Sequence, residues 1–444
     1  MDEVRWKSGE KVYLLKMWNE IHICDRIIKR WIITRKEVST VKLLERKEYL
    51  DFLRRHKDRH IIKVVSGVRR CGKSKLFELF QKYLLEQGIS REHIISINFE
   101  DLAFEDLQEY HALYNYVISR MQPEGMNYIL LDEIQHVPEF EKAVDSLFLR
   151  ENADVYITGS NAYFMSGELA TLLSGRYVEL KMLPLSFKEY YRACGLAANH
   201  TLQEIYERYI TESSFPYTLQ LSGRQQDINE YLLGLYNTVI LKDVVGRLRI
   251  ADVKMLESIV KYLFANVGSL LSIRKIADSM TSAGRKIDSK TVEKYLTGLQ
   301  DSMLIYQAER YDIRGKDILK INPKYYVVDA ALRYLKIGRR GLDTGHILEN
   351  TVYLELLRRG YEVYVGSMAN GEVDFVAKNE QGLMYYQVAE SALQPEVMER
   401  ELKPLQRIKD NYPKILLTLD EVGAVADYDG IRKQNVLKWL LAGE

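Results

Sequence analysis

Residues 61–76 read I-I-K-V-V-S-G-V-R-R-C-G-K-S-K-L: an apolar, β-branched run, Gly67, four residues, Gly72-Lys73-Ser74, then a helix-forming stretch. Strand, glycine loop and helix in that order make a phosphate-binding loop, a P-loop. Gly67 and Gly72 let the backbone turn tightly. The amides of Val68, Arg69, Arg70, Cys71, Gly72, Lys73, Ser74 and Lys75 then line a concavity at the positive end of a helix dipole. Lys73 is placed to reach β- and γ-phosphates, and Ser74 to ligate Mg²⁺.

A second stretch complements it. Tyr128-Ile129-Leu130-Leu131 is a strand of the kind buried on both faces, and it ends in Asp132-Glu133. Asp132 is placed for the Mg²⁺ shell and Glu133 to orient and polarise the attacking water. Together the two stretches predict a nucleoside triphosphatase.

Composition bounds the rest. With 444 residues, 47% hydrophobic and 28% charged, the chain has room for two or three cored domains. A net charge of +1 means that any affinity for nucleic acid must reside in a local patch. Cys24, Cys71 and Cys194 are scattered, which speaks for a reducing compartment and against disulfides or zinc. No apolar run approaches membrane-spanning length and no signal-type core follows Met1, so a cytoplasmic location is expected.

Residues 1–40 read as an N-terminal extension in which Trp6, Trp18 and Trp31 are interleaved with basic residues; packing, an upstream start, or contact with RNA, membrane surface or a partner would each suit it. From the P-loop onward, strands and helices alternate as an α/β sheet requires. A helix over Lys73–Glu86, strands over His93–Phe99 and Asp154–Thr158, and a helix over Leu107–Met121 are predicted. Ser160 and Asn161, at the end of a strand beside the acidic one, are candidate γ-phosphate sensors. Arg176, before the strand run Tyr177–Leu180, is a candidate for stabilising developing phosphate charge in its own subunit or a neighbour's.

G-V-R-R-C-G-K-S, I-N-F-E-D at 97–101, L-L-D-E-I-Q at 130–135, I-T-G-S-N-A at 157–162, L-S-G-R at 173–176 and P-L-S-F-K-E-Y at 184–190 occur in this order. In these motifs the chain resembles the bacterial and archaeal AAA-superfamily ATPases that carry a C-terminal domain of unknown function. The resemblance implies ATP as the nucleotide, with Mg²⁺, where the residues alone do not separate adenine from guanine. It also implies a P-loop ATPase core at 41–184, a helical lid at 185–250, a winged helix at 251–342 and a restriction-endonuclease-like α/β domain at 343–444. Ser213-Ser214-Phe215-Pro216 departs from the Gly-Gly-Phe-Pro common in relatives. Lys242, Asp243 and Arg247, late in the lid, are candidates for coupling nucleotide state to the rest.

In the winged-helix stretch, Ser272 and Asp288 are expected helix caps. Residues 268–340 hold fifteen Lys and Arg against eight Asp and Glu. Lys290, Lys294, Arg314 and Lys316 are where such a fold would meet duplex DNA, although winged helices also dock proteins or serve structure alone. In the terminal domain, Glu349 and Asp374 match the metal-binding acids of the endonuclease-like fold. Gln387 and Ala389 replace the third acid and the lysine, with Glu390 or Lys403 as nearby substitutes, so a catalytically degenerate module is expected. Three functions follow: Mg²⁺-dependent ATP hydrolysis coupled to conformational change, with DNA or a protein as the candidate partner, a non-hydrolysing ATP-binding adaptor or switch, and an ATP-gated metal-dependent nuclease, disfavoured by Ala389. Oligomerisation is compatible with each.

Overall fold

A computed structural model of the chain describes residues 44–160, 173, 175–221, 223–339, 344–369 and 371–442. The tryptophan-bearing extension of residues 1–40, the side chain of Ser160, and Asn161 lie outside the described residues.

The first half is built on a parallel sheet. Helix α1 (Lys47–His56) precedes β1 (Ile62–Gly67), α2 (Lys73–Glu86), β2 (Ile94–Asn98), α3 (Tyr110–Arg120), β3 (Asn127–Asp132), α4 (Phe140–Phe148), β4 (Ala153–Ser160) and β5 (Tyr177–Met182). The five strands lie in the order β2-β3-β4-β1-β5, every neighbouring pair parallel. One face, with Val65, Leu130 and Tyr156, packs on Phe77 and Phe80 of α2. The other, with Val64, Ile129 and Ile157, packs on Val117 of α3 and Leu147 of α4. Two covered faces explain why β1 and β3 are buried along their whole length and are largely apolar, the buried Lys63 of β1 being paired with Asp154.

Helices α5 (Phe187–Ala193), α6 (Leu202–Glu212) and α7 (Gln225–Thr238) follow, the last continuing into a π-helical segment, Val239–Gly246. Capping boxes start the first two: Ser186 with Glu189, and Thr201 with Glu204. Next come α8 (Val253–Ala265), α9 (Ile273–Ser282) and α10 (Ser289–Asp301). The expected caps are present, since Ser272 accepts from the Lys275 amide and Asp288 from the Thr291 amide, each at 3.0 Å.

Strands β6 (Ile305–Asp312) and β7 (Asp317–Val327), helices α11 (Ala330–Ile337) and α12 (Thr344–Arg358), then β8 (Glu362–Met368), β9 (Gly371–Asn379), β10 (Gly382–Ala389), α13 (Pro395–Gln406), β11 (Lys414–Thr418), β12 (Val425–Tyr428), β13 (Ile431–Asn435) and α14 (Val436–Leu441) complete the chain. They form one mixed sheet of eight strands, β12-β13-β11-β10-β9-β8-β6-β7. The α/β class with a P-loop-type parallel sheet followed by a second sheet domain is therefore as the sequence predicts.

Two features differ from expectation. The β6–β7 hairpin, inside the stretch 251–342 expected to form a separate winged helix, joins the terminal sheet, because Arg310–Asp312 pair in parallel with Val365–Ser367 of β8 and the Ile313 amide donates to the Ser367 carbonyl. The sheet is thus continuous between strands on either side of residue 342. The terminal domain also includes β12, β13 and α14, which the sequence pattern does not predict, with Trp439 packed into the main core. No described helix is long and apolar enough to cross a membrane.

Ser213 and Ser214 prove to be tied down. Both hydroxyls and the Ser214 amide donate to Asp329 Oδ2 at 2.7–3.0 Å, while Oδ1 caps α11 through the Leu332 amide at 2.8 Å. Asp329 is buried, so removing it orphans four donors. Asp329→Ala is expected to lower stability by about 3 kcal/mol in urea denaturation; a loss within about 0.5 kcal/mol would mean that water takes over those bonds.

Candidate functional site

The P-loop spans the end of β1 and the start of α2, at the C-terminal edge of the parallel sheet. Its two glycines answer different needs. A Cβ on Gly67 would stand 2.5 Å from the Met182 carbonyl oxygen and 2.9 Å from Cys71 Sγ, so close backbone approach is what demands glycine there. Gly72 has φ +110° and requires glycine for its conformation. No side chain caps α2, which leaves its first-turn amides for a ligand.

Arg46, buried just ahead of α1, braces the loop. Its guanidinium donates to the Cys71 carbonyl at 3.0 Å, to the Leu183 carbonyl at 2.8 Å and to Glu189 Oε1 at 2.6 Å. It thereby ties the loop to the segment after β5 and to α5. Val68 and Cys71 are buried beneath the loop, and burial pushes the Cys71 thiol up. Arg70 is exposed with φ +65°, and the Lys75 side chain pairs with Glu78 on the outer face of α2.

Lys73, Ser74, Asp132 and Glu133 converge. Lys73 Nζ lies 3.1 Å from the Gly67 carbonyl oxygen and 3.3 Å from Glu133 Oε1. Asp132 is hydrogen-bonded by the Ser74 side chain and by Thr158 Oγ1, the latter at 2.5 Å. Thr158 Oγ1 also accepts from the Glu133 amide at 3.0 Å, which fixes the two acids relative to each other. Glu133 itself sits in the left-handed region at φ +55°.

Burial raises Asp132 despite these hydrogen bonds. Burial would raise Glu133 as well, but the Lys73 ammonium, a hydrogen bond from Gln135 and the charge of Arg69 hold it below the usual carboxylate range. Glu133 is therefore ionised and able to accept a proton. Glu100 and His136 bring ligand atoms within 4.8 Å of those of Glu133.

Arg69 reaches out of the loop. Its Nε donates to both carboxylate oxygens of Asp243, at 3.0 and 2.8 Å, and NH1 stands 3.7 Å from Glu100. Asp243 belongs to the π-helical segment; four residues on, Arg247 pairs with Asp301 of α10 at 2.8 Å. Lys242 is exposed.

Arg176 requires correction as a catalytic group of its own subunit. Strands β1 and β5 run parallel, with Ile62 opposite Tyr177 and Gly67 opposite Met182. Arg176 therefore lies at the strand starts, roughly 16 Å from the loop at the strand ends, with its guanidinium over the Phe148 ring. The Ser160 backbone pairs with Gly67, beside the loop. Thr158 and Arg46 were missed: a strand threonine reads as β propensity, and a lone arginine before a helix reads as surface.

Lys290, Lys294, Arg314 and Lys316 are all exposed, the first two on α10 and the others in the β6–β7 turn. In the terminal domain, Glu349 of α12 and Asp374 of β9 both lie near Lys324 Nζ, at 3.1 and 3.8 Å. Gln387 is turned to Glu401 and the Asp374 amide, and Ala389 is buried. Glu390 and Lys403, the expected substitutes, are exposed. Burial and the Glu349 charge push Asp374 up to about 8, against the pull of Lys324.

Comparison with known proteins places this geometry. A family model for an AAA domain matches residues 59–191, and one for a domain of unknown function matches residues 203–342. An uncharacterized protein of Haemophilus influenzae is 40% identical over 406 residues, covering 90% of this chain and 99% of its own. An uncharacterized protein of Methanocaldococcus jannaschii is 30% identical over 388 residues, covering 82% and 83%. Among solved structures, a Walker-type ATPase of Pyrococcus abyssi is similar with a TM-score of 0.45 and 17% identity, over 66% of this chain and 95% of that one.

The crowding at Gly67 yields a test of the loop. Gly67→Ala has to displace the Met182 carbonyl, so affinity for a fluorescent ATP analogue is expected to fall at least tenfold in a titration, whereas an unchanged affinity would show that the loop absorbs the methyl group.

Proposed function

The chain belongs to the P-loop AAA-type ATPases with a C-terminal domain of unknown function, and we propose that it hydrolyses ATP and transmits the resulting change to its C-terminal half, which begins with the basic stretch 268–340. The observation that carries the reading is the convergence of Lys73, the Ser74–Asp132 pair and an ionised Glu133 at one end of one sheet. The residues suit Mg²⁺, because Asp132 is a buried carboxylate beside a hydroxyl, a hard oxygen donor set. Held by Ser74 and Asp132, Mg²⁺ would offset triphosphate charge.

The chain's own groups divide the work as follows. The loop amides and α2 dipole receive the phosphates. Lys73 exchanges its contacts with the Gly67 carbonyl and Glu133 for phosphate oxygens. Glu133, released from that ion pair, takes up the attacking water and polarises it. Thr158 keeps Asp132 and Glu133 at fixed spacing through its two hydrogen bonds. Ser160 and Asn161 stand as candidate γ-phosphate sensors.

We further assign the core to residues 41–184, a lid to 185–250, a winged-helix-like unit to 251–342 and an endonuclease-like domain to 343–444. Duplex DNA is the partner favoured for the second half, on the exposure of Lys290, Lys294, Arg314 and Lys316. Contacts of this kind act on phosphates and depend steeply on salt.

Glu133→Gln is expected to bind ATP yet release phosphate at least tens of times more slowly; equal rates would remove Glu133 as the base, and no phosphate release from the wild type would favour the adaptor reading. Replacing all four basic residues with alanine is expected to weaken duplex binding at least tenfold in fluorescence anisotropy and to flatten its salt dependence. Unchanged affinity would move the partner surface elsewhere.

A further inference from the structure

The strongest unassigned feature is the ring of acids around Lys324. This lysine comes from β7, at the edge of the eight-stranded sheet, and crosses to acids on α12 and β9 that belong to the later part of the chain. Its Nζ lies 2.9 Å from Glu372 Oε1, 3.1 Å from Glu349 Oε1 and 3.8 Å from Asp374 Oδ1. Only 3% of Lys324 is exposed, and Glu349 and Asp374 are 8% exposed each. Other groups complete the shell: Tyr326 donates to Glu349 Oε1 at 2.7 Å, and the Val388 amide to Asp374 Oδ2 at 2.8 Å. His346 Nδ1 stands 3.9 Å from Glu349 Oε2.

A buried ammonium without partners is very costly, and so is a buried carboxylate. Here each answers the other. The same oxygens that would ligate a divalent ion are spread around a nitrogen: among the described residues, the acids and histidine gathered within 4.8 Å of one another are Glu100, Glu133 and His136, and not these three. Divalent ions draw carboxylate oxygens to about 2.0–2.6 Å, tighter than the shell seen here, so ammonium and ion compete for one place.

We propose that Lys324 is the resident cation of the terminal domain: its ammonium fills the place of a divalent ion between Glu349 and Asp374, keeps metal out, and fastens the β6–β7 hairpin to α12 and β9. The acids then serve to join two parts of the chain, and metal-dependent phosphodiester cleavage through them is not expected. This assignment is independent of the nucleotide reading.

The test is Mn²⁺ titration of the full chain without nucleotide, followed by the electron paramagnetic resonance signal of free Mn²⁺. Lys324→Met, which keeps an apolar stem and loses the charge, is expected to bind one more Mn²⁺ per chain than the wild type, and the added Asp374→Asn to abolish the gain. Any ion bound near the P-loop is common to all three proteins and cancels. A wild-type site that Asp374→Asn removes would overturn the proposal, as would folded Lys324→Met protein with no added site. If Lys324→Met is too unstable for titration, its melting temperature is read instead. Mn²⁺ is expected to raise it without moving that of the wild type or the double variant, and no rise overturns the proposal equally.

Discussion

Lys73 is 4% exposed and cannot be solvated where it lies, so the Glu133 carboxylate 3.3 Å away and the Gly67 carbonyl satisfy its charge until phosphate arrives. The rest of the first half exists to hold that arrangement. Asp132 and Glu133 end a central strand, Thr158 on the neighbouring strand fixes their spacing, and Arg46 braces the loop from beneath. Together with the hydrogen bond from Gln135 and the charge of Arg69, the Lys73 ammonium also keeps Glu133 ionised against the burial that would neutralise it. Lys63 with Asp154, Lys324 with its three acids and Lys433 with Asp420 repeat the device at sites far from the loop.

The P-loop is linked to the basic stretch 268–340 by a chain of ion pairs. Arg69, inside the loop, holds Asp243 of the π-helical segment; Arg247, the residue just after that segment, holds Asp301 of α10. The π turn shifts side chains around the helix axis relative to an α-helix, a distortion that recurs at functional sites. Asp243 is raised by burial even with Arg69 bonded to it, so loss of that partner leaves an ill-solvated charge.

The P-loop and the acidic strand were legible because each couples residue identity to an unmistakable local order, apolar run, glycines, charged terminus. Helices α8 to α10 were legible from caps and spacing. What escaped depends on distant partners. Lys324 and Lys433 look like the solvent side of alternating strands, yet their amines are buried against acids from other elements. For the same reason β13, I-R-K-Q-N, reads as polar although Ile431, Lys433 and Asn435 are buried. Arg176 misled because its motif reveals proximity in sequence to a strand but not which end of the sheet that strand end occupies. Arg46 gave no signal at all, since its four acceptors come from the loop, from the segment after β5 and from α5.

The β6–β7 hairpin shares hydrogen bonds with β8 through three residue pairs, and Lys324 rivets it again at its far end. Hairpin and terminal domain therefore share one continuous hydrogen-bonded sheet. That sheet is also tied to the nucleotide-binding half without the intervening helices α8 to α10, because Arg358 of α12 donates to the Pro184 carbonyl just after β5 and Tyr206 of α6 meets Thr351 of α12.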